Sequence, residues 1–231
     1  MRYIGQKIKV IMTKETQKFY KFRPFGTGEQ KKIVADIVLE NKLFFASAEE
    51  FLDPSEFMLM KEEKGSYKKT EKLIRRKLKE RSIGVLSLSK SFKNVLMWSF
   101  YADWHSGLCI EFKAGKKEEP FCDARKVKYM ERVPSFELGT DVKEKLSKAL
   151  FIKSSDWSHE KEWRVVRNGY SGSLLRFPSS CIRQIIIGCR MPNESVKRIC
   201  EWKNASKSSF EVINSKVNKK YEVEKGSKVS S

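Results

Sequence analysis

Two glutamates, Glu160 and Glu162, stand one residue apart in the stretch SHEKEWRVVR, residues 158–167. Paired carboxylates can move a proton or stabilise developing positive charge. The same spacing also makes an ordinary strand edge. Alternation places Glu160, Glu162 and Arg164 on one face and Lys161, Trp163 and Val165 on the other, the two carboxylates about 6 to 7 Å apart by strand rise. If the Glu160 face is solvated, no chemistry is required of it. A second such pair, Ser87 and Ser89, lies in SIGVLSLS (82–89), and Arg23 ends FYKFRPF (19–25) just before Pro24. Other chemistries find less support. His105 and Cys109 are four apart, but Gly107 and the start of a strand intervene, and no Cys/His cluster supplies further ligands, so no metal is expected. No cysteine opens a helix where its thiol would be activated. There is no glycine-rich dinucleotide fingerprint and no phosphate loop.

The elements that must carry these residues follow from hydrophobic period. Strands are expected at 19–25, 42–47, 82–89, 107–112 and 126–131, then at EWRVVR, LLRFP, IRQIIIG, FEVIN and KYEVE. Helices are expected at 28–41, where Ile33, Val34, Ile37 and Val38 recur with helical spacing, at 68–81 on Leu73, Ile74 and Leu78, at 95–103, at 141–152, and at 193–206 with Asn193 as N-cap. LDPSEF (52–57) begins a turn or helix. Short strands with helices between them but no regular βαβ rhythm predict a single α+β domain with a mixed, largely antiparallel sheet. Its core should hold Val85, Leu86, Leu88, Ile110, Trp163, Val165 and Ile185 to Ile187. The domain should run over 19–215, after an N-terminal extension (1–18) and before a basic, partly frayed end (216–231). Tyr20, Trp98, Tyr101, Trp104 and Trp157 are assigned to the core by default, with one or two free to line a nucleotide pocket.

Length and composition are consistent with one core, because 231 residues are short for two domains and 40% are hydrophobic, 12% of all residues being aromatic. With 33% charged residues and no run of the roughly 18 to 20 apolar residues that a membrane span requires, the reading is a soluble protein without a membrane partner. The five cysteines are odd in number and form no Cys-x-x-Cys pair, which favours a reducing cytoplasm. A net charge of +19 creates a field that attracts polyanions. Much of it lies in 61–81 and at the C-terminal end, so nucleic acid is a candidate partner through Arg75, Arg76 and Lys79, although interspersed Glu71 and Glu80 fit a solvated helix equally well.

The ordered segments YKFRPF, LFFASAEEFLDPSEF, LSLSKSFKNVLMWSFYADWHSGLCIEF, KVKYME, WSHEKEWRVV and IIIG resemble the bacterial family catalogued as domain of unknown function 2971, over residues 19 to about 190. The strongest part is MWSFYADWHSGLCIEF. Two departures stand out. Leu52 and Ser55 replace the asparagine and phenylalanine of the family's Asn-Asp-Pro-Phe-Glu, and Phe100 stands where the family has histidine.

The order Arg23, then Ser87-x-Ser89, then Glu160-x-Glu162 is also similar to that of ADP-ribosyltransferases, which split the bond between nicotinamide and ribose in NAD. That resemblance implies an ADP-ribosyltransferase-like fold with NAD as substrate. Arg23 would pair with the pyrophosphate, Ser87 and Ser89 would hold ribose and ring, Glu162 would stabilise an oxocarbenium-like transition state, and Glu160 would orient or deprotonate the acceptor. The alternative is a non-catalytic binding or effector module of a bacterial defence or mobile locus, contacting nucleic acid through its basic surface. Convergence of the five side chains on one cleft separates the two readings.

Overall fold

The computed structural model describes residues 16–47, 72, 76–132 and 141–229. Twelve strands occur among these: β1 (Thr16–Arg23), β2 (Lys42–Ser47), β3 (Gly84–Ser89), β4 (Leu108–Gly115), β5 (Arg125–Lys126), β6 (Lys128–Met130), β7 (Ile152–Ser154), β8 (Glu162–Arg167), β9 (Ser173–Arg176), β10 (Ile182–Ile187), β11 (Glu211–Val217) and β12 (Val223–Lys228). The helices described over their full length are α1 (Gly28–Val38), α2 (Val95–Tyr101), α3 (Val142–Phe151) and α4 (Asn193–Ala205), and residues 76–80 are helical as well. Ten strands form one sheet in the order β12-β11-β10-β4-β1-β3-β2-β9, with β8 added on β3 and β5 on β8. Only β10 and β11 run parallel within it, while β6 and β7 form a separate parallel pair. The fold is therefore α+β with a mixed, largely antiparallel sheet and short helices.

Local chemistry sets the helix starts. Thr27 and Gln30 form a reciprocal capping box before α1. The Asn94 side chain accepts from the Leu96 amide at 2.8 Å to start α2, and Asp141 caps α3. Asn193, expected as the N-cap of α4, is instead its first residue, and the cap position falls on Pro192, whose fixed φ suits a helix start. The segment from 216, expected to be partly frayed, completes β11 and supplies β12, and Thr16–Lys18 of the expected N-terminal extension begin β1.

Alternation along the strands divides the core between the two faces of the sheet. On one face Phe19, Leu86, Leu88, Ile110, Val165 and Ile185 pack with Val34 and Ile37 of α1 and Ile199 of α4. The other face carries two smaller clusters. Val85 packs with Leu146, Ala149 and Leu150 of α3. Tyr20, Phe22, Cys109 and Ile186 pack with Met97 and Trp98 of α2. All the expected core residues are buried except Trp163, which is half-buried, with the Lys90 ammonium over its ring at 4.4 Å to the centroid.

β3 is the pivot of the sheet. One of its edges pairs with β8 from Gly84 to Ser89. The other is shared: β1 meets it only at Ser89, opposite Tyr20, and β2 only at Gly84 and Val85. Between these contacts, no described strand pairs with Leu86 to Leu88 on that side. Among the described residues the sheet is open at its middle.

Candidate functional site

The open edge and the strand behind it hold most of the residues singled out in the sequence. Ser89 faces Glu162, and Ser87 faces Arg164, across β3 and β8, so these side chains share one face at cross-strand contact distance. This face is not solvated. Glu162, Arg164 and Glu160 are all buried, and Arg164 is fully so. The reading of the pair as a plain strand edge is corrected here, because the glutamate face turns inward, between the clusters built on α2 and α3.

Glu160 and Glu162 do not lie on one strand. Glu160 ends a 3-10 turn, Ser155–Glu160, and Lys161 takes a left-handed conformation (φ 47°) before β8 starts at Glu162. The expected same-face alternation fails because of this kink. The two carboxylates are brought together from different directions by Lys153 of β7, whose Nζ lies 2.8 Å from Glu160 Oε2 and 3.7 Å from Glu162 Oε2. Tyr101 Oη of α2 donates to Glu160 Oε1 at 2.6 Å. Arg164 holds Glu162 with two donors, Nε to Oε1 at 2.8 Å and a terminal nitrogen to Oε2 at 2.9 Å, and gives its other terminal nitrogen to the Leu150 carbonyl at 3.0 Å. Such forks fix both position and charge. Burial pushes the Glu162 pKa up, but Arg164 and Lys153 outweigh it, with help from the Ser87 hydroxyl, and the carboxyl is held below its ordinary value. Tyr129 of β6 accepts from the Glu162 amide at 2.8 Å, and burial with the two nearby carboxylates raises its phenol to about 12.

The serines differ. Ser89 Oγ donates to the Glu160 carbonyl at 2.7 Å and is also engaged with Ser91, so it acts as a clamp that fixes Glu160. Ser87 Oγ is buried and makes no well-formed hydrogen bond; its influence on Glu162 is that of a neighbouring dipole.

Arg23 lies at the end of β1 with its Nε buried and without a partner. Two residues earlier, Lys21 Nζ reaches into the open edge and donates to the Ser87 carbonyl at 2.7 Å. Both residues are half-buried, and Arg23 Nε is enclosed. Desolvation lowers Arg23 to about 10. It lowers Lys21 far below its usual value too, with Arg23 adding to the effect and Glu162 opposing it. Lys21 therefore links Arg23 electrostatically to Glu162. Gly107 fixes the end of β1: a Cβ there would lie 2.3 Å from the Arg23 carbonyl oxygen. Next to Gly107, Asp103, Trp104 and His105 are consecutively left-handed (φ 48°, 50° and 69°).

Sequence reasoning missed Lys21, Lys153 and Arg164 as members of the site, and named Tyr101 only among aromatics of which one or two could line a pocket. Arg164 had a signal: a cation two residues after Glu162 on a strand face. The others depend on tertiary placement. Trp104, assigned to the core by default, is 64% exposed. Of the cations expected to touch nucleic acid, Arg75 lies outside the described residues, Lys79 is exposed, and Arg76 is 3.3 Å from Glu80. Leu52 and Ser55 also lie outside them, whereas Phe100 is exposed with its ring against Trp157. No group of three or more metal-binding side chains occurs among the described residues. None of their helices is long and apolar enough to cross a membrane.

An α+β sheet opened beside a buried cluster of carboxylates and cations is the class that fold and site define. Residues 97–165 match the family model described as protein of unknown function (DUF2971). The match spans less than half of the chain. It takes in Tyr101, Lys153, Glu160, Glu162 and Arg164 and leaves Arg23, Ser87 and Ser89 outside. No curated protein and no solved structure matches the chain.

Proposed function

We propose that the open edge of β3 binds NAD and that the protein is an ADP-ribosyltransferase-like enzyme, transferring ADP-ribose to an acceptor. The observation that carries this reading is the pair Lys21 and Arg23: two half-buried cations on one strand face, Arg23 Nε enclosed without a partner, and no carboxylate in an ion pair with either among the described residues. Buried charge of one sign is costly unless an opposite charge arrives. A diphosphate supplies two, and the fork of Arg23 suits its oxygens. Lys21 reaches the Ser87 carbonyl through the open edge, and the Ser87 hydroxyl lies beside Glu162 on the other face, within reach of a ribose that passes the opening.

Each further residue then has a task. Glu162 stays ionised at neutral pH and, oriented by Arg164, stabilises positive charge on the ribose as the bond from C1′ to the nicotinamide nitrogen breaks and its electron pair leaves with nicotinamide. Glu160, held by Tyr101 and Lys153, meets the acceptor, orients its nucleophilic atom and receives its proton. Ser89 keeps Glu160 in register.

The test is incubation of the protein with NAD labelled in its adenylate half, together with cellular RNA, DNA and protein. Release of nicotinamide and transfer of label to one of these pools is the expected result. Intact NAD after prolonged incubation would sink the proposal.

A further inference from the structure

The outer side of α2 is an apolar surface beside the site. Phe100 is 57% exposed and Trp104, just past the helix, 64%. The Phe100 ring meets that of Trp157 edge-on at 6.5 Å between centroids. At the other end of α2 the turn between β11 and β12 carries Tyr221, 81% exposed. This turn is tied to the start of α2 by the bridge between Asn94 and Glu222 and by the Val223 amide, which donates to the Lys93 carbonyl at 2.8 Å. Exposed aromatic rings thus run from the hairpin turn along α2 to the turn that ends in Glu160.

The charges beside these rings identify what covers them. Lys93, Lys219 and Lys220 are exposed, sit at the hairpin end, and form no ion pair among the described residues. By contrast, the described part of the basic helix neutralises Arg76 and Lys77 against Glu80. Exposed lysines at one end of a run of outward rings suit a single nucleic-acid strand, whose phosphates take the lysines and whose bases stack on the rings. A duplex hides its base faces and gains only the charge. A neutral bilayer or an apolar protein face would take the rings without the lysines; an anionic bilayer takes both and is an arm of the test below.

We propose that α2 and the β11–β12 turn form a docking strip for single-stranded nucleic acid that ends at the site. Phe100 adjoins Tyr101, whose hydroxyl holds Glu160, and Trp157 shares the 3-10 turn with Glu160, with Lys153 Nζ 4.8 Å from the Trp157 ring centroid. A strand on the strip therefore has one end beside the two carboxylates. That this strand is the acceptor rests on the function proposed above; that it binds does not.

The experiment measures anisotropy of a fluorescent oligo-uridine of about a dozen nucleotides over a range of salt, with no NAD present. Stacking contributes about 1 to 3 kcal/mol per base, so Phe100→Ala and Tyr221→Ala should each weaken binding about 5- to 150-fold. Lys219→Gln with Lys220→Gln should reduce the salt slope by about 1.4, at roughly 0.7 per phosphate contact on a single strand. All these positions are exposed, so melting temperatures should hold. The proposal is overturned if neither aromatic substitution alters affinity, if a duplex of equal length binds as well, if the loss follows Arg76→Gln with Lys79→Gln instead, or if the wild type binds phosphatidylserine vesicles and not the oligonucleotide. Oligonucleotide binding in a protein that leaves NAD intact would support the strip and refute the enzyme.

Discussion

Glu160 and Glu162, separated by the left-handed Lys161, reach the same ammonium, Lys153 Nζ, at 2.8 and 3.7 Å. The kink turns two neighbours in sequence into two walls of one site. Each carboxylate also has its own second partner, Tyr101 for Glu160 and Arg164 for Glu162. The two glutamates therefore differ in setting and should differ in their response to substitution.

Glu162→Gln should leave the fully buried Arg164 without its counter-charge and lower stability by about 3 to 5 kcal/mol in urea unfolding. Adding Arg164→Met should recover a large part of that loss. The acid limb follows from the same pair. The folded Glu162 pKa lies below the ordinary value near 4.3, so its contribution is complete above that value and is lost as pH falls through the lower folded one. Equal acid sensitivity in wild type and the double variant would contradict this.

On NAD consumption, Glu162→Gln, assayed at a temperature where it remains folded, should slow turnover by on the order of 10² to 10³ relative to wild type. Glu160→Gln should reduce transfer to the acceptor more than plain hydrolysis. Nicotinamide release and label transfer, followed together, measure both. Equal small effects would return the pair to a structural role.

Lys21 should destabilise the ligand-free protein. Its folded pKa lies below the unfolded value near 10.4, so between the two the native state binds fewer protons than the unfolded state, and stability rises with pH across that window. Below the folded pKa the full cost of the charged form is present. Lys21→Met should therefore raise the melting temperature without ligand and flatten the alkaline rise, whereas inorganic pyrophosphate should stabilise the wild type more than the variant.

Gly107→Ala should displace the end of β1, because the added carbon would lie 2.3 Å from the Arg23 carbonyl oxygen and 2.9 Å from that of Ala102. Neither atom belongs to a movable side chain. A drop in melting temperature with weakened pyrophosphate binding is the expected outcome, measured by thermal unfolding with and without pyrophosphate.

The sheet was legible because period-two runs such as GVLSLS and EWRVVR carry β-branched and leucine side chains, and their pairing places Ser87, Ser89 and Glu162 together. The short β7 was not legible. Three residues at the end of α3 have no pattern of their own, and their strand character comes from pairing with β6. Lys153 was hidden with them. Glu160 was misplaced because nothing in SHEKE marks Lys161 as left-handed; that conformation appears where the 3-10 turn, closed by the Lys161 amide donating to the Ser158 carbonyl, must join β8. Nothing in FYKFRPF sets Lys21 apart from other strand cations. Only the partial pairing of β3 with β1 and β2 shows that it enters the sheet.

Binding of a dinucleotide at the open edge of β3 is what separates an enzyme from a purely structural charge cluster. Calorimetric titration of NAD into the wild type, Lys21→Met and Arg23→Met tests this directly, because both variants remove a charge that destabilises the empty site and should remain folded. Saturable binding to the wild type, weakened at least about tenfold in each variant as the loss of a charge-assisted contact implies, is the predicted result. No heat of binding in the wild type, or undiminished affinity in both variants, would contradict it.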